Sequence, residues 1–519
     1  MTVATPPAVV LPRQRGGWWH RYVCPVHGVE LIHAGLLGGV FPAGDPLCRY
    51  GCAIDTPEVR GAWTVLAHQA CAREIRRLAR TGHPVDTAAA ADLLEQYAAR
   101  YEQLGAAEHD EADAWMHRGH LFQQALTESI WAVTIGEACK RTGAAEPLRR
   151  LLADRAALAR DTLVVQDRFR SNYTAWHLAA GATCTGDPAW LTGPNGVFAH
   201  VLAATGPDGW EWEASTYYHA FVLRAYLLAL RACPQVAVPA EVRERLAAMA
   251  AALTVIARPG QLPALHDGPY RRPGYDDELA ELAELTAALL PQPPAGKPVT
   301  VFADAGYAVL RGPALTAIVD FGPHGGSHGH RDKLALYLYG DHVAWQPDPG
   351  QVPYGHPGWR EHYASTAAHP AFSVDGREQA ECTGRLVCAD EHGVEVACDS
   401  AYPGVSAVRR LTLRGGDLVD ELTVRAAQPS RISLHLRPDT DIQVLAGADG
   451  AVATVWSAGG QRLESTHTAG TTAFFTARPG PGPADDPQRT RTHVDWTAHD
   501  TTEVTFRTVY RSHPGQDRS

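Results

Sequence analysis

The stretch that decides the fold spans residues 321–376 and reads FGPHGGSHGHRDKLALYLYGDHVAWQPDPGQVPYGHPGWREHYASTAAHPAFSVDG. It opens with a glycine-rich segment that carries His324, His328 and His330. From Lys333 onward, the apolar residues alternate roughly as they do in a strand, until the turn signal DPG at residues 348–350. The pattern predicts an antiparallel β-unit with histidines gathered near one place.

A metal site is the first hypothesis for these histidines. A hairpin-like unit would return His369 towards His330 and Asp348, and two imidazoles with one carboxylate are a common zinc set. Histidine also serves as acid or base near neutral pH. The residues alone leave an alternative open, in which these are loop histidines of a surface β-hairpin.

Length and charge set the outer limits. A chain of 519 residues is too long for one compact core, so we expect two or three domains. The net charge of -11 argues against a general nucleic-acid binder but still allows an anionic substrate in a local cationic cleft. The sequence contains no run of about 18 apolar residues, so we expect no membrane span. The N-terminus lacks an export pattern. We therefore expect a cytoplasmic protein with no membrane partner, whose 10 cysteines are thiols or metal ligands.

The N-terminal segment, residues 1–55, carries a second candidate metal site. Cys24 and His27 are separated by two residues, and Cys48 and Cys52 by three. Two close pairs of N/S ligands joined by a loop match a small structural zinc knuckle. The alternative is three buried free cysteines and a surface histidine.

The rest of the chain divides into a helical part and a strand-rich part. Over residues 56–290, Ala, Leu, Arg and Glu dominate and apolar residues recur at helical spacing, which predicts a bundle, solenoid or toroid of antiparallel helices. The proline-rich run at residues 290–298 marks a boundary. Residues 299–519 contain many short alternating segments, typical of an antiparallel sandwich. The predicted fold class is multidomain α+β.

Two segments in the helical part carry unexpected polar residues, RSNYTAWH at 170–177 and DGWEWEASTYYH at 208–219. Each follows a chain break, so the polar groups lie near helix starts, where anions are favoured. Aromatic rings interleaved with Asn, His and Arg suit a sugar-binding cleft. A Trp/Tyr-rich core seam with capping residues is the equally weighted alternative.

The order of these features resembles the heparinase II/III-like polysaccharide lyases. The resemblance rests on SHGHRDKLALYLYGDHVAWQPDPG followed by STAAHPAFSVDG, after a helical domain and a Pro-rich boundary. It implies an (α/α) toroid followed by an antiparallel β-sandwich. It also implies β-elimination on uronate-containing glycans, in which neutralising the uronate carboxylate stabilises the enolate, a base removes the C5 proton and an acid protonates the glycosidic oxygen.

The resemblance carries roles over to individual residues. Asn172 would neutralise the carboxylate, Tyr218 would act as acid and sometimes as base, and His328 would complete the site. Tyr217 competes with Tyr218. The implied metal ligands are His330, Asp348 and His369.

The chain departs from the family pattern at two points. Tyr173 follows Asn172 where some members have His, so His177, one turn on, is an alternative neutraliser. Pro370 replaces the usual Asn after the final histidine. Other candidates for substrate contact, each with a structural role as the alternative, are Gln124, Arg170, Tyr217, Tyr354 and Tyr363.

These observations predict a cytoplasmic, exo-acting lyase for imported acidic oligosaccharides of heparin/heparan or alginate type, with a structural zinc ion and a second zinc ion considered. A homodimer is left open. One alternative is a metal-dependent glycoside hydrolase, which needs two carboxylates across a cleft and could recruit Glu211, Glu213 and Asp267. The other is a non-catalytic glycan-binding protein of the same fold.

Overall fold

The computed structural model describes residues 9–42, 46–105, 116, 118–271, 274–293, 296–446 and 451–513. None of the helices in these ranges is long and apolar enough to cross a membrane. Helices dominate up to Leu289, and the first strand begins at Val299. The helices are α1 Pro57–Arg80, α2 Pro84–Gln103, α3 Ala125–Thr142, α4 Glu146–Val165, α5 Asn172–Thr185, α6 Ala189–Thr192, α7 Val197–Ala204, α8 Thr216–Ala232, α9 Ala240–Ile256, α10 Tyr275–Leu289 and, between two strands, α11 Pro357–Tyr363.

The helices form two layers of a toroid. Helices α1, α3, α5, α8 and α10 pack on one another in succession, while α2, α4, α7 and α9 cover their outer sides. An inner helix contacts neighbours on every side and should therefore be apolar all round. Helix α5 fits this expectation, since only Tyr173 and Thr185 of its 14 residues are not buried.

An ion pair joins the last inner helix to the first. Glu281 on α10 accepts from Arg76 on α1 at 2.9 Å and from Arg224 on α8 at 2.6 Å. All three side chains are largely buried. Glu281 thus connects helices that lie about 200 residues apart in the chain.

A first sheet of five antiparallel strands follows the helical domain, with the strands adjacent in sequence order. Both faces are buried. Leu336 and Leu338 face the core of the sandwich, whereas Tyr337 packs with Trp210 and Ile256 of the helical domain. This explains why the stretch alternates between two kinds of apolar residue rather than between apolar and polar. The strands are β1 Val299–Phe302, β2 Tyr307–Arg311, β3 Thr316–Asp320, β4 Leu336–Gly340 and β5 Val343–Gln346.

The second sheet contains the remaining ten strands of the described residues, all antiparallel. Its main path runs β11-β12-β13-β15-β10-β9-β8-β7, with β14 paired to β15 and β6 to β10. The fold class predicted from the sequence, a helical toroid followed by an antiparallel sandwich, is confirmed. The strands are β6 Phe372–Val374, β7 Arg385–Ala389, β8 Gly393–Cys398, β9 Val405–Arg414, β10 Asp417–Leu436, β11 Asp441–Ala446, β12 Val452–Ala458, β13 Gln461–Ala469, β14 Ala473–Pro481 and β15 Thr490–His513.

Candidate functional site

A cleft of about 660 Å³ lies where the helical domain meets the first sheet. The starts of the inner helices α3, α5 and α8 bring Gln124, Asn172 and Tyr218 to it. Serine caps set two of these starts, since Ser171 accepts from the backbone N–H of Tyr173 and Ser215 from that of Tyr218. The helix ends therefore present polar groups to one side of the toroid.

A second cavity of about 380 Å³ adjoins the cleft. The two share one boundary, formed by five aromatic side chains, Trp19, His20, Tyr217, Tyr218 and Tyr354. The ring of His20 stacks on that of Tyr354, with centroids 4.3 Å apart. The cleft and the second cavity therefore both border Tyr218.

Glycines bring the histidine segment against the helical domain. Gly325 has a φ of +79°, and a Cβ there would lie 2.3 Å from the carbonyl oxygen of Glu213. A Cβ on Gly329 would lie 1.2 Å from the carbonyl oxygen of His324. Only glycine permits these approaches, and they place His328 at the cleft.

Asp267 is the centre of a hydrogen-bonded cluster. Its Oδ2 accepts from His328 Nδ1 at 2.9 Å, from Tyr354 Oη at 2.9 Å and from Arg360 Nη1 at 3.0 Å. Burial by itself would raise the pKa of this carboxyl, but hydrogen bonds from His328 and His330 and the charge of Arg360 hold the pKa well below its usual range. Asp267 is therefore an anion that orders its neighbours.

The proton on His328 can be assigned from these contacts. A carboxylate only accepts, so the bond to Asp267 places the hydrogen on Nδ1. In the neutral ring, Nε2 then carries a lone pair. The nearest acidic group to Nε2 is Glu213, whose Oε1 lies at 3.7 Å. His328 is thus oriented to accept a proton in the cleft.

The ring of Tyr218 stacks on that of His328. The two rings stack with centroids 3.7 Å apart and 19° between their planes. The hydroxyl of Tyr218 lies 2.7 Å from that of Tyr354. Burial, together with the charge of Asp267, raises the pKa of Tyr218 well above its usual range. The phenol therefore keeps its proton at neutral pH and can donate it.

Asn172 faces the same space from α5. Its Nδ2 donates to Glu213 Oε2 at 3.0 Å, while Oδ1 has no hydrogen-bond partner among the described residues. Burial raises the pKa of Glu213, and burial with the charge of Glu213 raises the pKa of Glu211 well above its usual range. A protonated Glu213 can donate to the amide oxygen once the amide is rotated by half a turn. The NH₂ group is then available to an anion.

The structure places four of the six predicted substrate-contact residues at the cleft. Gln124 is buried and donates to the hydroxyl of Tyr173. Arg170 is exposed at the rim, its guanidinium 5.1 Å from the ring centroid of Trp212. The other two at the cleft are Tyr217 and Tyr354.

The remaining two predicted contacts lie elsewhere. His177 is buried and lies 2.7 Å from Ser129 Oγ, beside a separate small cavity at α3 and α4, because its position on α5 turns it away from the cleft. Tyr363 is buried under Trp359 and donates to the carbonyl of Gly482 at 2.6 Å. The geometry therefore does not support substrate contact by His177 or Tyr363.

Sequence reasoning missed the orienting role of Asp267 and the contribution of Arg360. Asp267 lies in a loop before Gly268, about 60 residues from His328, and was considered only for hydrolysis. Arg360 lies on α11, with its guanidinium 4.1 Å from the ring centroid of Tyr354. Neither position belongs to a local pattern, so only the folded chain brings them together.

The predicted ligands His330, Asp348 and His369 meet in a fully buried group. His330 Nδ1 lies 3.0 Å from His369 Nε2, which lies 3.8 Å from Asp348 Oδ1. His330 donates through Nε2 to Asp267, and His369 through Nδ1 to the carbonyl of Ser365. The two facing nitrogens therefore carry lone pairs, and a cation between them relieves the repulsion. The donor set fits a metal ion.

A third buried group has ligand chemistry that the sequence did not predict. It consists of His266, Asp320 and Asp332, whose ligand atoms all lie within 4.8 Å of one another. Lys333 already forms ion pairs with both carboxylates, and His266 Nε2 lies 3.1 Å from Asp320 Oδ2. The carboxylates raise the pKa of His266 to about 10 despite burial. Two cations thus balance two anions, and the group requires no metal.

Comparisons with known proteins agree with this architecture. Residues 294–515 match a family model described as Heparinase II/III-like, C-terminal. No curated protein matches the chain in a sequence comparison.

Solved structures resemble the chain over nearly its whole length. A crystal structure of heparinase III has a TM-score of 0.66 and 16% identity, covering 87% of this chain and 76% of its own. Heparan sulfate lyase HepC from Pedobacter heparinus has a TM-score of 0.62 and 16% identity, with coverages of 89% and 78%. Chondroitin AC lyase from Streptomyces coelicolor A3, solved in complex with chondroitin sulphate, has a TM-score of 0.51 and 11% identity, with coverages of 88% and 75%.

Proposed function

On the premise that residues 294–515 form a heparinase II/III-like C-terminal domain, we propose that this chain is a polysaccharide lyase. It cleaves uronate-containing oligosaccharides, of heparin/heparan or alginate type, by β-elimination at their uronate residues. The observation that carries the proposal is the cluster of Tyr218, His328 and Asp267 at the cleft, opposite Asn172. These are the groups that the elimination requires.

The reaction breaks two bonds and forms one double bond. The C5–H bond of the uronate breaks when a base takes the proton, and its electrons form the C4=C5 double bond. The C4–O bond breaks, and the leaving oxygen receives a proton from an acid. No water is consumed. The carboxylate at C5 must be neutralised, because charge flows into it as the proton leaves.

We assign each role to a side chain, and the geometry of the cleft supports the assignment. His328 Nε2 carries a lone pair and takes the C5 proton. Tyr218 remains a phenol and protonates the leaving oxygen, since burial raises its pKa. Asn172 donates to the carboxylate through its NH₂ group, supported by Glu213. Asp267 keeps His328 in the required tautomer and does not contact the sugar.

The lining of the cleft favours an acidic glycan. Arg168, Arg170, Arg224 and Arg360 line it together with three acids, Asp167, Glu213 and Glu278. The four arginines outnumber the three acids by one, so the lining is cationic on balance. Arginine is well suited to carboxylate and sulfate recognition. Heparan-type and alginate-type fragments both fit this chemistry.

Three finer points belong to the proposal. Exo action on short oligosaccharides is supported by the Trp19 and His20 wall at one boundary of the cleft. A zinc ion at His330, Asp348 and His369 would fix the histidine segment to the sheet and takes no part in the reaction. A cytoplasmic location is supported by the ten cysteines, none of which forms a disulfide.

The test is ultraviolet absorbance during incubation with heparan, chondroitin, hyaluronan and alginate oligosaccharides. We expect the absorbance of an unsaturated uronate to rise with one of them. Tyr218→Phe should lower the rate by about 10²–10⁴-fold. The matched control is Tyr217→Phe, because Tyr217 lines the same cavities but stacks on Phe221 instead of His328, and it should keep the rate within about tenfold.

Two outcomes would contradict the proposal. Flat absorbance with new reducing ends would indicate a hydrolase that uses Glu213 and Asp267. Flat absorbance without new ends, but with saturable oligosaccharide binding, would indicate a glycan-binding protein.

A further inference from the structure

We propose that Cys24, His27, Cys48 and Cys52 bind one zinc ion that fixes the N-terminal segment as a wall of the cleft. The metal site stands on its own geometry. The description of the segment as a wall of the substrate cleft rests on the function proposed above.

The ligand atoms already have the spacing of a tetrahedral site. His27 Nδ1 lies 3.5 Å from Cys24 Sγ, 3.5 Å from Cys48 Sγ and 3.4 Å from Cys52 Sγ. With Zn–S near 2.3 Å and Zn–N near 2.0–2.1 Å, a tetrahedron gives about 3.5 Å between such ligands. All four donor atoms lie within 4.8 Å of one another. Three thiolates and one imidazole favour zinc over magnesium or calcium.

Each ligand pair is held by its own backbone turn. The backbone carbonyl of Cys24 accepts from the N–H of Gly28 at 2.9 Å, and the carbonyl of Cys48 accepts from the N–H of Gly51 at 2.9 Å. The backbone N–H of Cys48 donates to the carbonyl of Cys52 at 3.0 Å. Both glycines have positive φ, 70° and 82°, which tight turns demand. The turns direct the side chains of both pairs to one point.

The N-terminal segment has little secondary structure and a small hydrophobic core to stabilise it. In its described residues before α1, the named elements are two short 3₁₀ turns, Trp19–Arg21 and Leu36–Gly38, and the remaining pairing consists of isolated bridges such as Val23–Glu30 and Leu47–Ala53. Its core is small and is completed by α1 through residues such as Trp63. A segment this short usually needs a metal or a disulfide to fold stably. The zinc ion would join its two halves, 20 residues apart.

The same segment contacts the cleft and the sandwich. His20 stacks on Tyr354, and the N–H of Gly355 donates to the carbonyl of His20 at 3.2 Å. His356 Nε2 lies 3.0 Å from the carbonyl of Pro25, one residue beyond the first ligand. Movement of the ligand turns would therefore move the ring that covers Tyr354.

Contacts with the loop between β14 and β15 of the sandwich also hold the segment in place. Tyr50 donates to Asp486 at 2.6 Å, and Gln488 donates to the carbonyl of His27 at 3.4 Å. Both contacts come from residues between or within the ligand pairs. The zinc ion therefore lies at the junction of the N-terminal segment, the cleft and the β14–β15 loop.

The experiment measures metal per chain in the purified full chain by mass spectrometry. The double variant Cys48→Ser/Cys52→Ser should lose one equivalent of zinc relative to the wild type. Cys388→Ser, which removes an exposed thiol elsewhere, should lose none. An unchanged zinc content in the double variant would overturn the proposal.

A spectroscopic measurement avoids dependence on a variant that fails to fold. X-ray absorption at the zinc edge of the wild-type protein should show sulfur neighbours at about 2.3 Å, which the set of His330, Asp348 and His369 cannot supply. Oxygen and nitrogen neighbours alone, or no bound zinc, would overturn the metal site.

Amide hydrogen exchange tests, without any substrate, whether the zinc ion holds the N-terminal segment in place. In the double variant, exchange in residues 18–33 and 354–356 should become at least tenfold faster, while Cys388→Ser leaves it unchanged. Equal protection would show that the metal does not hold the wall. If the enzyme is active, KM should rise with little change in kcat. Measurements of metal content and hydrogen exchange need no substrate. They therefore test the metal site and its effect on the segment even if no lyase activity is found.

Discussion

At the scale of single residues, Asp267 controls what its neighbours can do. One of its oxygens, Oδ2, accepts from His328, Tyr354 and Arg360. Asp267 remains charged although it is buried, because His328, His330 and Arg360 keep its pKa low. An acceptor in this position fixes the tautomer of an imidazole, as the aspartate of a catalytic triad does. In the proposed mechanism, Asp267 thereby selects Nε2 of His328 as the nitrogen that takes the proton, although Asp267 does not contact the sugar.

Asp267→Asn should lower kcat by about 10²–10⁴-fold, because the amide NH₂ favours the imidazole tautomer with hydrogen on Nε2. The ¹⁵N spectrum of the His328 ring reports the tautomer directly. Metal content is measured on the same sample, since Asp267 also accepts from His330. Asp161→Asn, on the exposed side of α4, is the matched control. Normal turnover, or loss of turnover with an unchanged ring spectrum, would contradict the role of Asp267.

At the scale of elements, the toroid depends on how its last inner helix meets its first. The apolar faces of α1, α8 and α10 bring Arg76, Arg224 and Glu281 together in a largely buried contact. The charges of the two arginines lower the pKa of Glu281 against the effect of burial. Removing one partner of a buried ion pair leaves charge without compensation.

Glu281→Gln should therefore reduce the free energy of unfolding by about 2–4 kcal/mol. Urea unfolding of the full chain followed by far-UV circular dichroism measures the change. Glu284→Gln lies on the same helix at an exposed position and should change stability by less than about 0.5 kcal/mol. Equal stability of the two variants would mean that the ion pair does not contribute to closing the ring.

The starts of the inner helices α5 and α8 could be anticipated from Ser171 and Ser215, because capping residues act locally. The sequence does not predict which faces of these helices point inward. Helix α5 is buried on nearly every side, so its apolar pattern does not distinguish the face of Asn172 from that of His177. The packing of α3 and α4 decides it.

At the scale of the whole molecule, buried histidines make stability depend on pH. Burial lowers the pKa of several histidines outside the candidate metal sites, and each is neutral in the folded chain. In the unfolded chain the same histidines titrate near 6.5. Those in the helical domain are His68, His200 and His219, each with a pKa of about 4, and His177, with a pKa of about 3.

The sign of the effect follows from proton uptake. Between about pH 4 and 6.5 the unfolded chain binds more protons than the folded chain, so stability falls as the pH falls through this window. Each such histidine contributes up to about 1.4 kcal/mol per pH unit. Urea unfolding at several values between pH 7 and pH 5 should show this loss.

His200→Gln should reduce the slope by about one proton, since glutamine stays neutral. His83→Gln, at an exposed site, should leave the slope unchanged. Parallel slopes for wild type and His200→Gln would contradict the assignment of His200 as a buried neutral group.

The amino-acid sequence alone predicted the fold class, which is confirmed, and its resemblance to heparinase II/III-like proteins agrees with the family model that matches residues 294–515. It also determined which ligands can meet, because periodicity, turn residues and ligand spacing are local properties. It could not show that Asp267 orients His328, that Lys333 neutralises a third ligand-like group, or that His177 and Tyr363 lie away from the cleft. These depend on contacts between residues tens to hundreds of positions apart, and only tertiary packing selects them.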